Sequence, residues 1–432
     1  MTLHNPKQRY LLSPEAVFGL KPLRKYELLF DTLQPCLANC LSPKSRGRPP
    51  VSKPTLLNAL IYKNLKQLPT LFDLATSLLD NPSLATTCGL LPNKGLYSLE
   101  ERLSSFLNDV PNSLVQTIRI NLVRQLIQLN EISGNFLSID SATVPVVVRE
   151  NNLKTSMKDR FDKTKPPKRD PEARLGVMIH FKGPFNKQPQ YFWGYKNHSI
   201  TDCESELPVW ELTKPANLQD TTLFVPSFKR LLDHFSFHIQ AVMADAAYDS
   251  ETNLMFVIDD LHALPRIAKN PRWEKLRKIR LSSSGGRICI AGFEMIYWGK
   301  FNDRGKTRKK FVCPITHSKK FAQQVPTCPW NHPTFRKGKG CTAYLRGDKD
   351  LRKRIDYGSQ IFKEHYNKRT SSERVFSRLL TLCMQKPSVY GLNAVSNHCT
   401  IAHITVLSIA LTAARIGQID KVRFVKKFLP NL

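Results

Sequence analysis

The sequence is short of acidic residues. Its 432 residues include 65 Lys and Arg against 35 Asp and Glu, which gives a formal net charge of +30 and a pI near 9.8. This excess favours a polyanionic partner, because neutralising phosphates releases condensed counterions. Nucleic acid and an anionic membrane surface would both satisfy it. The alternative is a basic but otherwise ordinary cytosolic protein.

Long apolar runs are also missing. Residues 1–12 lack the apolar core of a signal peptide. The most apolar late stretch, residues 401–416, is short for a bilayer span and carries His403 and Arg415, so we expect a buried helix there. The ten cysteines are scattered, which indicates a reducing compartment. These absences argue against a membrane or secreted protein, while 41% hydrophobic residues argue against a disordered chain.

The patterning changes from helical to α/β near residue 131. Leucines at helical spacing, such as Leu56, Leu60 and Leu74, predict a mostly α-helical N-terminal part. Further on, residues 175–181 and 190–196 read as two strands of a hairpin. The stretch between residues 151 and 174 carries eight basic side chains and is predicted to be a mobile loop.

Two aspartates stand at the ends of predicted buried strands. Residues 135–139 lead to Asp140, and residues 238–244 lead to Asp245. Side chains at strand ends converge in open α/β sheets, although an aspartate there often only caps a turn. Two divalent ions ~4 Å apart can activate a water and stabilise a leaving oxygen in phosphodiester cleavage, and hard oxygen ligands suit magnesium. The two aspartates are therefore candidate magnesium ligands.

A third carboxylate lies on a predicted helix. Tyr366, Arg369 and Glu373 are spaced by three and four residues, so they share one helix face. There Glu373 could reach a metal while Arg369 and Tyr366 hold phosphates. A salt-bridged surface helix would give the same spacing.

These segments together resemble a known family. The segment YNKRTSSERVFSRL at 366–379 resembles the Tyr-x2-Arg-x3-Glu signature of DDE transposases of the bacterial insertion-sequence type. SIDS at 138–141 and ADAAYDS at 244–250 resemble the blocks around their first and second aspartates. WGYKNH at 193–198 and TKPANLQD at 213–220 resemble blocks between them. The resemblance covers most of the chain, and the order of the blocks is more specific than any one of them.

The resemblance implies an α/β fold and a domain order. We expect an RNase H-like mixed-sheet catalytic core with a β-rich insertion, preceded by a mostly α-helical N-terminal domain. The predicted divisions are an N-terminal helical domain for binding DNA ends (1–130), the first part of the core (131–265), the basic insertion (266–350) and the helical C-terminal part of the core (351–432).

The resemblance also implies a chemistry and partners. Asp140, Asp245 and Glu373 would bind two magnesium ions, with manganese as a substitute, for hydrolysis at transposon ends and attack of the freed 3′ hydroxyl on target DNA. The partners would be terminal-repeat and target DNA and a second copy of the chain, in the bacterial cytoplasm at the nucleoid, with no membrane. Further DNA contacts are expected from Tyr366, Arg369, Arg374 and Arg378.

Two positions depart from the family pattern. Leu380 replaces a lysine that would contact phosphate, and Ala247 replaces a glycine before the tyrosine of the second block. Neither change removes a carboxylate. Two alternatives to a transposase remain: a catalytically silent DNA-binding descendant, and a metal nuclease of the same fold that cuts without joining.

Cysteine and histidine recur within 29 residues of the insertion. The candidate ligands of a structural zinc ion are Cys313, His317, Cys328, His332 and Cys341. Four of these five could close a tetrahedral site. The spacing matches no standard zinc finger, and the two Cys-Pro pairs could instead mark turns.

Overall fold

The computed structural model describes two compact units. The described residues are 21–37, 51–90, 98–181, 187–270, 280–281, 287–303, 306–331, 335, 337–346 and 355–423. The first unit comprises residues 1–267 and 363–432, and the second comprises residues 268–362.

The described part of the first unit begins with α-helices, as the leucine spacing predicts. Their bounds are α1 (Lys21–Leu37), α2 (Lys53–Lys66), α3 (Leu71–Asp80), α4 (Pro82–Thr87), α5 (Leu99–Asp109) and α6 (Asn112–Gln128). Local capping fixes several starts. The Ser52 side chain accepts a hydrogen bond from the Thr55 amide, and Thr70 and Asp73 form a reciprocal capping box.

A mixed six-stranded sheet forms the centre of the first unit. Its strands are β1 (Phe136–Pro145), β2 (Arg174–Phe181), β3 (Lys187–Asp202), β4 (Leu207–Pro215), β5 (Ala241–Ala244) and β6 (Leu264–Ile267). Their order is β2-β3-β1-β5-β6, and β4 also pairs with β3. Strand β3 runs antiparallel to β1, β2 and β4, whereas β5 runs parallel to β1 and β6. Helix α7 (Asp220–Leu232) connects β4 to β5, and this topology confirms the RNase H-like core.

Strand β1 is longer than its apolar run indicated. It continues past Asp140 to Pro145, and its second half pairs with β3. The mixed residues after Asp140, SATVP at 141–145, form no apolar run and so did not predict this extension. Gly194 permits the close crossing of β3, because a Cβ there would lie 2.3 Å from the Val144 carbonyl oxygen. The first aspartate therefore lies in the middle of a strand, and the prediction that the strand ends there was wrong.

After β5 the chain turns into a short capped helix. The Ser250 hydroxyl accepts a hydrogen bond from the Asn253 amide at 3.1 Å, as the sequence predicts for the start of α8 (Glu251–Met255). The helix continues as a π-helical turn, Phe256–Asp260, before β6.

The second unit is rich in short strands. Its elements are β7 (Arg280–Leu281), β8 (Arg287–Ile288), β9 (Ile296–Asp303), β10 (Lys306–Val312), α9 (Pro314–His317), α10 (Lys319–Gln324) and β11 (Thr342–Arg346). Strands β9, β10 and β11 form an antiparallel sheet with β10 in the middle. Phe311, Val312 and Ile315 are buried within this unit.

Three longer helices close the chain: α11 (Gln360–Asn367), α12 (Thr370–Thr381) and α13 (Leu392–Arg415). Helix α12 packs on β1 and β3, and α13 packs on β4 and on helices of the N-terminal part. By length and composition α13 could cross a membrane, but its most apolar window is entirely buried in the protein. The expected buried helix is thus observed.

Candidate active site

Asp140 lies in the middle of β1, opposite Ser199 of β3. Its Oδ1 accepts a hydrogen bond from the Ser141 amide at 2.8 Å. Burial raises the pKa of Asp140 to about 6, and the carboxylates of Asp245 and Glu373 push it in the same direction. The Ser141 amide and the Arg369 guanidinium act against this rise. The pKa of Asp140 is therefore raised by both other predicted catalytic acids.

Asp245 directly follows the fully buried strand β5. Its Oδ1 accepts a hydrogen bond from the Ala247 amide at 2.9 Å, which caps a 3-10 turn. Ser138 of β1 is in register with Met243 of β5, so Asp140 and Asp245 each lie two residues further along parallel neighbouring strands. Burial raises the pKa of Asp245, and the nearby carboxylate of Asp220 adds to the rise.

Glu373 lies in the first turn of α12, where Arg369 connects it to Asp140. The Arg369 Nη2 is 2.6 Å from Oε1 of Glu373, and its Nη1 is 3.7 Å from Oδ2 of Asp140. Burial alone would lower the pKa of Arg369, but Tyr366, Glu373 and Asp140 together raise it. The guanidinium thus joins two of the three acids.

Small hydroxyl side chains hold α12 close to β1. The buried Ser138 hydroxyl hydrogen-bonds to the hydroxyl of Ser372 and lies 3.3 Å from that of Ser371. Because these side chains are short, the helix approaches the strand closely. Asp140 lies two residues beyond Ser138 on β1, and Glu373 directly follows Ser372 on α12. The contact between the serines therefore sets how far Glu373 lies from Asp140.

The three acids meet in one region without forming a finished metal cluster. Within the part of the chain that the structure describes, no group of three His, Cys, Asp or Glu side chains is arranged to hold a metal. Glu373 is paired with Arg369 instead. Carboxylate oxygens are nevertheless the ligands that magnesium prefers, and a divalent cation would relieve the repulsion that contributes to the high pKa of Asp140. The donor chemistry therefore fits a divalent cation, provided that Glu373 leaves Arg369.

Comparison with known proteins identifies the family. Residues 136–408 match the profile of the transposase DDE domain, a segment that covers more than half of the chain and contains all three acids. The chain belongs to the transposase DDE domain family. Among solved structures it is similar to a piggyBac transposase synaptic complex with hairpin DNA, solved by cryo-EM. The sequence identity is 14% and the TM-score 0.37, over 95% of this chain and 78% of that one. No curated protein matches.

The other signature residues of this family member have partners within the protein. The guanidinium of Arg369 lies 5.8 Å from the ring centre of Tyr366. Arg374 Nε is 2.8 Å from Oε1 of Glu206, and Arg378 Nη2 is 3.2 Å from Oε2 of the same carboxylate. Their contact with DNA stays a prediction. Leu380, where the family signature has lysine, is partly exposed.

Sequence reasoning missed a charged pair beside Asp245. Lys196 Nζ, on β3, lies 3.0 Å from Oδ1 of Asp220 at the start of α7. His198 Nδ1 lies 3.9 Å from the same oxygen, and burial lowers the pKa of this imidazole to about 4. The blocks that contain these residues resemble family blocks, but spacing alone does not show that they meet.

The predicted zinc ligands are only partly brought together. Burial raises the pKa of Cys341 to about 12, and the thiols of Cys313 and Cys289 add to the rise, so these three cysteines are neighbours. Cys289 was not part of the predicted set. Nδ1 of His317 faces its own turn, 2.8 Å from the Thr316 hydroxyl. The predicted ligand His332 lies outside the described residues. Zinc binding, including the participation of Cys328, stays a prediction.

Proposed function

We propose that this chain is an active DNA transposase, which cleaves at transposon ends and transfers the 3′ hydroxyl strand into target DNA. The observation that supports this most is the meeting of Asp140, Asp245 and Glu373 from three separate elements within the family domain. A structural role does not require Asp140 to lie where burial and the carboxylates of Asp245 and Glu373 all raise its pKa.

Magnesium fits the chemistry of these oxygens. Asp140, Asp245 and Glu373 would hold two ions, with manganese as a substitute. When bound, the ions would activate the attacking oxygen and stabilise the leaving oxygen. We propose no other cofactor for the reaction.

Arg369 has a separate task in this proposal. In the structure its guanidinium forms an ion pair with Glu373 and lies 3.7 Å from the Asp140 carboxylate. If those carboxylates bind cations, the guanidinium becomes available to a phosphate oxygen, for which its planar fork is well suited. The Tyr366 ring lies 5.8 Å from the same guanidinium. Arg369 would thus orient the phosphodiester.

The test is an assay of cleavage and strand transfer with magnesium on labelled DNA that carries the element's ends. The wild type is compared with Glu373→Gln, and with Glu101→Gln on the exposed face of α5 as the matched control. We expect products from the wild type and the control, and loss of both steps in Glu373→Gln with DNA binding retained.

The other outcomes identify the alternatives. Binding without products in the wild type, in a buffer where a known transposase is active, would indicate a silent DNA-binding descendant. Cleavage without joined products would indicate a nuclease. Products that persist in Glu373→Gln would contradict the three-acid mechanism.

The partners follow from the proposed reaction. Two transposon ends have to be brought together, so we propose that a homodimer assembles on terminal-repeat DNA, in the cytoplasm at the nucleoid. Light scattering of the complex with end DNA should give the mass of two chains; a single chain in an active complex would contradict this.

A further inference from the structure

A lysine-rich loop leaves β1 on the side of the acids. We call residues 146–173, between β1 and β2, the basic loop. Pro145 ends β1 five residues beyond Asp140, which corresponds to about 17 Å at ~3.3 Å per residue. That distance equals about five base pairs of duplex at ~3.4 Å each. A duplex that runs along β1 past Asp140 would therefore reach the start of the basic loop about five base pairs away.

The start of the basic loop is anchored by hydrogen bonds. Arg160 donates from Nη1 to the carbonyl of Asn152 at 2.5 Å and from Nη2 to that of Thr155. The Trp193 indole N–H donates to the Arg160 carbonyl at 2.9 Å. The Asn151 side chain bonds to the main chain of Trp193 through both its oxygen and its nitrogen. This stretch is therefore tied to β3, although its composition predicted a mobile loop.

The end of the basic loop is anchored to the sheet and to α13. Asp170 is fully buried and accepts hydrogen bonds from the Tyr195 hydroxyl at 2.8 Å and from the Gly391 amide at 3.1 Å. Glu172 accepts a hydrogen bond from the Leu392 amide at 2.8 Å. A surface held at both ends can present charge in a fixed arrangement.

The acidic residues of the basic loop are largely committed to its own structure. Asp159 and Asp162 both pair with Lys165, at 3.3 and 3.7 Å. Asp170 and Glu172 serve as anchors. Among the residues that the structure describes, no acidic side chain pairs with four other exposed lysines of the loop: Lys154, Lys158, Lys163 and Lys168. Their positive charge is thus available to a partner.

We propose that these four lysines bind the DNA backbone about five or more base pairs from the phosphate that is cut. The inference rests on the proposed function for the position of the cut. Phosphates are the fitting partner because the lysines are exposed point charges, which position a duplex without reading its sequence. An acidic protein partner would be a competing outcome.

The first test measures DNA binding separately from catalysis. A long labelled duplex of mixed sequence is titrated with the Glu373→Gln protein at several salt concentrations without magnesium. The double variant Lys158→Ala with Lys163→Ala is compared with Lys229→Ala with Arg230→Ala. The latter pair is exposed at the end of α7 that lies furthest from Asp220. Loss of two phosphate contacts should reduce the slope of log affinity against log salt by about 2 in the loop variant only.

The outcomes separate this inference from the proposed function. A loop variant with the same slope as the control overturns the inference, even if the wild type cleaves DNA. A reduced slope supports the inference about the basic loop even if no cleavage occurs. In that case only the proposed function is contradicted. Equal melting temperatures of both double variants exclude misfolding as the cause.

The second test measures distance. Duplexes carrying the cut site are shortened stepwise on either side of it. Wild-type affinity should fall when fewer than about five base pairs remain on one side. The loop variant should show a smaller step, because it lacks two of the four lysines. A step of the same size in both proteins would overturn the proposed position.

Discussion

Asp140 combines a partly buried position with a charge that the proposed reaction requires. Its pKa of about 6 lies above the usual 3.8, so the folded protein binds this proton more tightly than the unfolded chain does. The contribution of Asp140 to stability is therefore most favourable at low pH. It is lost as the pH rises from about 4 to about 6.

We predict that Asp140→Asn stabilises the fold at neutral and alkaline pH. The free energy of unfolding should rise by about 1–3 kcal/mol at pH 8 and change little at pH 4. Added magnesium should raise the melting temperature of the wild type but not of the variant. Thermal melts at both pH values, with Asp109→Asn on α5 as the exposed control, measure this. A variant that is less stable at pH 8 would contradict the assigned burial cost.

Glu206 forms ion pairs with two arginines that the sequence analysis predicted to contact DNA. It lies in the turn between β3 and β4 and pairs with Arg374 and with the largely buried Arg378. Burial lowers the pKa of Arg378 to about 10, so this guanidinium depends on its carboxylate partner.

Replacing Glu206 with Gln should destabilise the protein by about 1–3 kcal/mol, because Arg378 loses its charged partner in a site with little water. Urea denaturation measures the change. Glu204→Gln, two residues earlier and more exposed, is the control and should cost less than about 0.5 kcal/mol. Equal costs would show that the Arg378 pairing adds nothing.

At the scale of single residues, the two aspartates carry a local sequence signal, whereas the partners of the arginines do not. Asp140 and Asp245 follow apolar runs, and such runs are a local signal. The pairing of Arg378 with Glu206 joins residues 172 positions apart, which no local pattern contains. The blocks around Lys196 and Asp220 were visible, but their meeting depends on the pairing of β3 with its neighbours.

At the scale of elements, a buried polar network joins α6, the sheet and α13. Glu211 of β4 is completely buried and accepts hydrogen bonds from Asn197 at 2.7 Å and Thr400 at 2.6 Å. Gln116 of α6 also donates to it and accepts from Arg119 at 2.7 Å. The network therefore connects the N-terminal helices to the catalytic sheet.

We predict that Glu211→Leu destabilises the protein by about 3–5 kcal/mol, since it leaves Arg119 as an uncompensated buried charge. Adding Arg119→Leu should recover part of this loss. Chemical denaturation of both single variants and the double variant measures the coupling. Strictly additive effects would show that the two charges do not interact.

The cysteine-rich element of the second unit gives a metal prediction. If zinc is bound, protein purified without a histidine tag should contain about one zinc ion per chain. Cys313→Ser and Cys341→Ser should lose it, whereas Cys383→Ser in the first unit should retain it. Metal analysis by mass spectrometry measures the zinc content, and a content near zero would contradict the predicted zinc site.

The types of several helices and strands followed from patterning, but strands β4 and β6 and the extent of β1 did not. The helices and buried strands have periodic apolar residues that sequence reasoning detects. The far half of β1, SATVP at 141–145, mixes polar and apolar residues without a long apolar run, and it pairs with β3. The anchors of the basic loop are likewise tertiary contacts, made by Asp170 and Trp193.

At the scale of the whole molecule, the net charge of +30 predicts strongly salt-dependent binding to DNA. Affinity for a duplex of unrelated sequence should fall by roughly 10³-fold or more between about 50 and 200 mM salt, as for a protein with several phosphate contacts. Fluorescence anisotropy measures this. A fall of less than about tenfold would show that the excess charge does not face DNA.

The second unit also affects how the protein is made. Glu373 follows Asp245 by 128 residues, and the second unit lies between them. At about 5–20 residues per second, a ribosome delivers the third carboxylate roughly 6–26 s after the second. During that interval the nascent sheet lacks α12 and α13, which pack against it in the folded protein. If the three acids act together as proposed, a nascent chain cannot cleave DNA until α12 has left the ribosome.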